Sequence, residues 1–276
     1  MLPPITSLQN ARVKQAVKLR DRRGRDDQGR IIIDGLREIE RALAAGVKLV
    51  ELFIEPDVLP PDVEHKLVRA ARAVDADVLD VTAPVMEKIA FGERRVGVVA
   101  VAEPPRATLT DFRRRLATQT GIPLILVLEA VEKPGNLGAV LRTADAAGVS
   151  GLIVCDGRTD LFNPNAIRAS LGAIFTVPLA MATVAETQAL LRELRLKTFT
   201  ARVDGAIDYT RVDYRQPAAL VLGSEMAGLT PAWHAADMQA IRLPMLGQVD
   251  SLNVSVTAAV ICYEALRQRN VPSGNT

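Results

Sequence analysis

Three glycine-containing loops carry the residues of this chain whose types and spacing suit chemistry. The first is Lys133-Pro-Gly-Asn-Leu-Gly-Ala-Val-Leu-Arg142, where Arg142 is a cation set among Ala139, Val140, Leu141 and Ala144. A guanidinium can grip a phosphate or stabilise an oxygen that gains negative charge. Asn136 can cap the helix that follows, and Gly138 lets another backbone come close. The second loop, Leu222-Gly-Ser-Glu-Met-Ala-Gly-Leu229, sets Glu225 between Gly223 and Gly228, so a ligand can approach the backbone beside a carboxylate. The third, Leu243-Pro-Met-Leu-Gly-Gln-Val-Asp-Ser-Leu-Asn-Val-Ser255, feeds the last helix. Ser251 or Asn253 supplies its cap, and its N-terminus can receive an anionic group. Taken singly, each loop also reads as ordinary structure: a capped helix with a surface arginine, a plain turn, a capped helix after a loop.

Other chemistries lack their residues. There are two histidines, His65 and His234, neither near a cysteine or a carboxylate pair at ligand spacing. Neither a zinc site nor a Ser-His-Asp or Cys-His nucleophile is supported. Cys155 and Cys262 lie in apolar runs and form no CxxC, so they read as small buried hydrophobes in a reducing compartment. No GxGxxG and no GxxxxGK[ST] occurs, which argues against a nicotinamide-dependent oxidoreductase and a P-loop NTPase. No apolar run reaches the ~18 residues that span a bilayer. No hydrophobic leader follows Met1, and a soluble, cytoplasmic protein is expected.

The net charge of +2 says little, but its distribution says more. Residues 11–30 hold eight Lys or Arg against three Asp. Arg12, Lys14, Lys18, Arg20, Arg22, Arg23 and Arg25 are the candidate RNA contacts, since such a stripe displaces counterions from phosphates. A solvated helix face is the plain alternative. No aromatics interleave with these charges, so base stacking is not indicated there. Arg113-Arg114-Arg115 is a weaker candidate of the same kind.

These loops need elements to position them. With 276 residues, 49% of them hydrophobic, the chain has material for two α/β domains. Leu36, Ile39, Ala42 and Leu43 recur at helical spacing and Gly46 stops that helix. A strand over 47–54, a helix over 62–74 with Asp62 as possible N-cap, and strands over 78–81 and 96–102 follow. Composition then shifts at Glu103-Pro-Pro-Arg106. A second unit starts at Ile122 with a near-continuous apolar strand to Glu129, as expected for a parallel sheet covered on both faces. Helices over 137–147, from Asn163-Pro164, over 183–194 and over 254–269 alternate with strands over 152–155, 175–179, 199–203, 218–222 and 240–243. The expected organisation is an N-terminal domain (1–104), a linker or exposed helix (105–121) and a second α/β domain (122–276). All three chemistry-bearing loops then fall at strand ends, where open α/β sheets bind ligands.

In combination the three motifs resemble those of the SpoU (TrmH) methyltransferase family, in the same order. The resemblance covers the whole second unit, including Arg168-Ala-Ser-Leu-Gly-Ala173. The first unit is similar to the substrate-binding domain of many members, through Thr6–Lys14 and Asp34–Glu38. The resemblance implies an α/β fold with a C-terminal trefoil-knotted, mostly parallel sheet and flanking helices, beside a smaller N-terminal α/β domain. It implies S-adenosylmethionine bound within the knot, a homodimer through the C-terminal domain, no metal, and 2′-O-methylation of RNA. The matching cofactor positions are Gly223, Leu243 and Leu252, with Asn253 beside them. The family's catalytic arginine matches Arg142, with Asn136, Glu225, Ser251 and Asn253 in support. Ser224 stands where Asn is frequent and Met226 where Gly is frequent. The appended N-terminal domain favours large-subunit (23S) rRNA over tRNA as substrate. A non-catalytic RNA-binding or ribosome-assembly module on the same fold is the alternative, against which the intact motif residues argue.

A histidine-poor site lacks the usual general base for a ribose hydroxyl. A neutral arginine is costly, because its solution pKa lies above about 12. Arg142 is therefore expected to stay charged and act on the developing alkoxide rather than as a literal base.

Overall fold

The structure, a computed structural model, describes residues 3–91, 97–157, 159–224 and 226–270. The chain begins with α1 (Ala11–Lys18), α2 (Arg22–Gln28), β1 (Ile31–Asp34), α3 (Leu36–Ala44), β2 (Leu49–Ile54), α4 (Pro61–Ala73), β3 (Asp77–Asp80), α5 (Ala83–Ile89) and β4 (Val98–Ala102). It continues with α6 (Leu109–Leu116), β5 (Leu124–Glu129), α7 (Pro134–Ala146), β6 (Gly151–Cys155), α8 (Pro164–Ala169), α9 (Ala173–Thr176), β7 (Leu179–Ala182) and α10 (Val184–Glu193). β8 (Lys197–Ala201), β9 (Ile207–Asp208), β10 (Ala218–Leu222), β11 (Met238–Arg242) and α11 (Val254–Asn270) complete it.

Two compact units result: Met1–Pro105 with Asp160–Thr176, and Arg106–Thr159 with Val177–Thr276. The first holds a four-stranded sheet of order β1-β4-β2-β3, with β4 antiparallel to both neighbours. Val13 and Ala16 of α1 and its C-cap Leu19 pack with Phe53, Val85, Ile89 and Val99 in the core of this unit. The first half of the basic segment, α1, is thus an amphipathic helix whose inner face is buried, while α2 carries no apolar residue.

The excursion 160–176 comes from within the sequence of the expected second domain, yet α8 lies against β1 and α9 against α3. It explains the Arg168–Ala173 stretch. Gly172 has φ +83°, and a Cβ there would stand 3.0–3.2 Å from the Arg41 side chain and Glu38 Cα. Ser170 Oγ donates to Ile167 O at 2.8 Å, and Arg41 Nη1 donates to Leu171 O at 3.1 Å. The strand expected over 175–179 is instead the end of α9, a turn and the start of β7. Phe175 stacks on Phe162 there, and a short apolar run does not distinguish helix from strand.

The second unit is a seven-stranded sheet of order β7-β6-β5-β10-β8-β11-β9, with every strand pair parallel. β5, β6 and β10 are buried along their whole length, as their unbroken apolar runs foretold. The stretch expected as a linker or exposed helix carries the helix α6, which seats Phe112 in the core beside Ile125, Ile153 and Trp233. A capping box of Thr183 and Glu186 starts α10. Two helix starts differ from expectation. Pro60 and not Asp62 is the N-cap of α4, and Lys133 and not Asn136 that of α7. In both cases a proline (Pro61, Pro134) occupies the first turn, where its missing N–H costs nothing.

Candidate functional site

The carboxyl ends of β8 and β10 in the second unit frame a cavity of about 490 Å³. That volume lies in the range of roughly 300–1,000 Å³ usual for small-molecule sites. Its floor and one wall come from Leu222–Ser224 and Met226–Leu229, the second motif. The third motif faces them with Leu243, Met245 and Asp250–Leu252, and Val254 and Thr257 of α11 close that side. Ala201–Asp204 and His234 complete the lining. Of the residues singled out from the sequence, Gly223, Leu243, Ser251 and Leu252 meet here.

Gly223 is required by a close approach. A Cβ at this position would lie 2.1 Å from Gly228 C, 2.2 Å from Gly228 O and 2.5 Å from Leu229 N. The loop is a tight hairpin in which Gly228 N donates to Ser224 O at 3.0 Å and Ala227 N to Ser224 Oγ at 3.1 Å. Gly228 takes φ +65°. Glu225 lies outside the described residues.

The first and third motifs are joined by side chains. Asn253 Nδ2 donates to Asn136 Oδ1 at 3.3 Å, while Asn253 Oδ1 accepts from Ser255 N at 2.9 Å and Ser255 Oγ at 2.7 Å. Asn253 is therefore the residue that caps α11, and Asn136 is held by it across the packed pair α7 and α11. Arg142 lies on α7, exposed, and does not line the cavity. Among the described residues no hydrogen bond or ion pair engages its guanidinium.

Sequence reasoning passed over two features. Arg202 and Asp204 at the end of β8 form a two-point pair on the cavity wall, Nε–Oδ1 2.8 Å and Nη2–Oδ2 2.6 Å. The Arg202 hydrogen bonds hold the Asp204 carboxyl below its ordinary range. Glu129, ending β5, is buried and accepts from both Thr230 N (2.7 Å) and Thr230 Oγ1 (2.6 Å). The signal available for both was a charged residue at or just past a strand end.

The cysteines are not nucleophiles at neutral pH. Burial pushes both thiols up to about 12, and Cys155 is further engaged with Thr187 Oγ1 at 3.0 Å. Among the described residues no group of three His, Cys, Asp or Glu stands together to hold a metal, and no helix is long and apolar enough to cross a membrane.

The basic stripe divides in two. Arg25 is buried, donates to Leu19 O at 2.6 Å and Arg20 O at 2.7 Å, and pairs with Asp160. Arg20 donates to Lys88 O at 2.6 Å and to Ala90 O. Arg12 pairs with Asp77 at 2.7 Å and Glu51 at 3.1 Å. All three cations are thus engaged within the first unit, Arg25 alone among them being buried. Lys14, Lys18, Arg22 and Arg23 are exposed, with Asp26 3.7 Å from Arg22 and Asp27 3.7 Å from Arg23. The Arg113–Arg115 run is engaged as well: Arg113 grips Glu193 with both amines, Arg114 pairs with Asp111 at 2.7 Å, and Arg115 is half-buried.

A parallel sheet with a glycine-walled cavity beyond its strand ends, and a separate small α/β unit, define the class: a two-unit α/β protein with a cavity sized for a small molecule. The SpoU rRNA Methylase family model matches residues 123–263, and the MRM3-like substrate binding domain matches residues 10–100. The 23S rRNA (guanosine-2′-O-)-methyltransferase RlmB of Bordetella pertussis is 36% identical over 232 residues, 84% of this chain and 94% of that protein. A crystal structure of an RNA 2′-O ribose methyltransferase superposes with TM-score 0.82 at 39% identity, covering 97% of this chain and 100% of that one. The AdoMet-bound rRNA methyltransferase of Sinorhizobium meliloti gives TM-score 0.82 at 30% identity, covering 96% and 97% of the two chains. This chain belongs to the SpoU rRNA methylase family. Its fold class is accordingly that family's knotted α/β sheet with a smaller N-terminal α/β unit, a topology outside the usual unknotted rule.

Proposed function

We propose that this protein transfers a methyl group from S-adenosylmethionine to the 2′-hydroxyl of a ribose in 23S rRNA. The observation that carries the reading is the cavity itself, with Gly223, Leu243, Ser251 and Leu252 from two separate motifs on its walls. The residues present fit the cofactor: Leu222, Leu243 and Val254 offer apolar surface to an adenine ring, and the hairpin leaves backbone where a Cβ at Gly223 would intrude. Gly223, Leu243 and Leu252 would hold it, with Asn253 ordering the third loop beside them. When bound, S-adenosylmethionine supplies the electrophilic methyl group. The named relative's substrate supports 23S rRNA over tRNA.

The chain's own tasks are alignment and charge. Arg142, charged throughout, binds a phosphate of the target and stabilises the hydroxyl oxygen as it loses its proton. Asn136, fixed by Asn253, and Ser251 orient the target nucleotide near it. Glu225 belongs to the same proposal by its place in the second motif.

The enzyme works as a homodimer through the second unit. Met226, Leu246, Val249, Leu252, Val256 and Tyr263 are exposed apolar side chains on the cavity loops and α11, the kind of surface a monomer leaves wet at a cost. Arg142 also lies outside the cavity of its own chain. The cytoplasm is the compartment of this reading: a ribosomal RNA substrate and the free Cys155 and Cys262 both accord with it.

The test is methyl transfer from labelled S-adenosylmethionine to purified 23S rRNA, to ribosomal particles and to tRNA, followed by alkaline hydrolysis. A 2′-O-methyl group blocks alkaline cleavage, so label should survive in a dinucleotide from rRNA. Label in such a dinucleotide from tRNA alone would overturn the substrate, and no transfer to any of the three would overturn the activity.

RNA contact by the first unit rests on Lys14, Lys18, Arg22 and Arg23. Replacing all four with alanine should weaken rRNA binding and reduce the slope of log K against log salt by about 0.7–0.9 for each lost phosphate contact. Arg25→Ala should act differently. It strands the Asp160 carboxylate and the carbonyls of Leu19 and Arg20, so it should lower stability by about 3 kcal/mol in urea melts. Equal salt slopes for the quadruple variant and the wild type would rule this surface out.

A further inference from the structure

We infer that Glu129 and Thr230 form a latch that sets the position of the cofactor-facing hairpin, an inference that rests on the S-adenosylmethionine reading of the cavity. Glu129 is 1% exposed, and no ion pair to it occurs among the described residues. A buried carboxylate without a cation is unfavourable unless its oxygens are otherwise satisfied. Both oxygens are satisfied by one residue: Oε2 accepts from Thr230 N at 2.7 Å and Oε1 from Thr230 Oγ1 at 2.6 Å. An apolar side chain would fill the same space without the desolvation cost. What the carboxylate adds is a two-point, directional hold on the backbone of Thr230.

The location makes that hold consequential. The hairpin leaves β10 at Gly223, and β10 is the strand beside β5, with Leu222 opposite Leu128. It returns at Leu229, and Thr230 is the next residue. Trp233 is fully buried in the core, and its backbone N–H donates to Thr230 O at 3.0 Å. Thr230 is thus held between Glu129 and the buried Trp233, and the cavity-lining residues Met226–Leu229 lead directly into it. Glu129 also begins the first-motif loop, whose next residue, Ala130, turns at φ +52° and donates its N–H to Cys155 O at 3.0 Å. One carboxylate therefore ties the start of the first motif to the end of the second, and the Asn136–Asn253 bond ties the first to the third. Glu129 and Thr230 are positioning residues, acting on the cofactor through the hairpin.

The experiment uses the full chain and three variants, Thr230→Val, Thr230→Ser and Glu129→Gln. Two quantities are read: S-adenosylmethionine affinity by calorimetry, and amide hydrogen exchange of residues 223–229 without cofactor. Thr230→Val keeps the N–H and the branched shape but loses the hydroxyl. It should weaken cofactor binding roughly tenfold, in keeping with loss of a hydrogen bond to a charged group, and speed exchange in the hairpin to a similar degree. Thr230→Ser restores the donor and should stay within about twofold of wild type. Glu129→Gln should fall between them, and KM for the cofactor should rise more than kcat falls. Wild-type affinity and exchange in Thr230→Val would overturn the latch. Faster hairpin exchange in Thr230→Val, with a wild type that does not bind S-adenosylmethionine, would uphold the latch and overturn the cofactor reading instead.

Discussion

Arg142→Ala is expected to lower single-turnover methyl transfer on the order of 10²- to 10³-fold, the usual consequence of removing a donor that meets charge developing in the transition state. Calorimetric affinity for S-adenosylmethionine should stay near wild type, because Arg142 does not line the cavity. Its exposed position on α7 also means that truncation removes no core packing, so thermal stability should be unchanged within the small range typical of surface sites. Arg142→Lys tests the role more sharply. Lysine keeps the charge but not the planar fork, so partial recovery of rate would point to plain electrostatics and none to two-point recognition. Cofactor affinity lost in parallel with rate would sink the assignment. A pH–rate profile whose basic limb follows residue 142 would favour a literal base.

The second large effect belongs to Gly223→Ala. The added methyl carbon would stand 2.1 Å from Gly228 C and 2.2 Å from Gly228 O, both backbone atoms that cannot swing away like a side-chain tip. The hairpin must open, and with it the wall that faces the third motif. Cofactor affinity should fall at least about 100-fold, which is roughly 2.7 kcal/mol. The strain is confined to a hairpin whose tip is exposed, so the melting temperature without cofactor should drop by only a few degrees. A variant that binds S-adenosylmethionine as wild type does would show that the cavity is not the cofactor site. A variant that fails to fold would move the test to Leu243→Asn, which alters the opposite wall without a backbone clash.

Much of this arrangement is legible in the amino-acid sequence. The apolar runs of β5 and β10 announced buried parallel strands, and the motifs were placed at strand ends because α/β sheets work there. The cap of α11 was narrowed to Ser251 or Asn253. Other features could not be read in this way. Arg25 looked like any other cation of the stripe, and only its burial against Leu19 O, Arg20 O and Asp160, 135 residues distant, removes it from the surface. Glu129 and Thr230 are 101 residues apart, and Asn136 and Asn253 are 117 apart. Nothing local to any of these residues names its partner.

The sequence by itself determined the two-unit α/β character, the family and the chemistry its side chains can perform, because periodicity, caps and glycine-bearing turns are properties of a few neighbouring residues. The tertiary structure decided which cations of the basic stripe are buried or engaged, that residues 160–176 complete the first unit, and how the second and third loops line one cavity while the first is tied to them by Glu129–Thr230 and Asn136–Asn253. Those outcomes depend on which groups the folded chain removes from water and brings within hydrogen-bond reach, and a buried polar group must find its partner wherever packing places it.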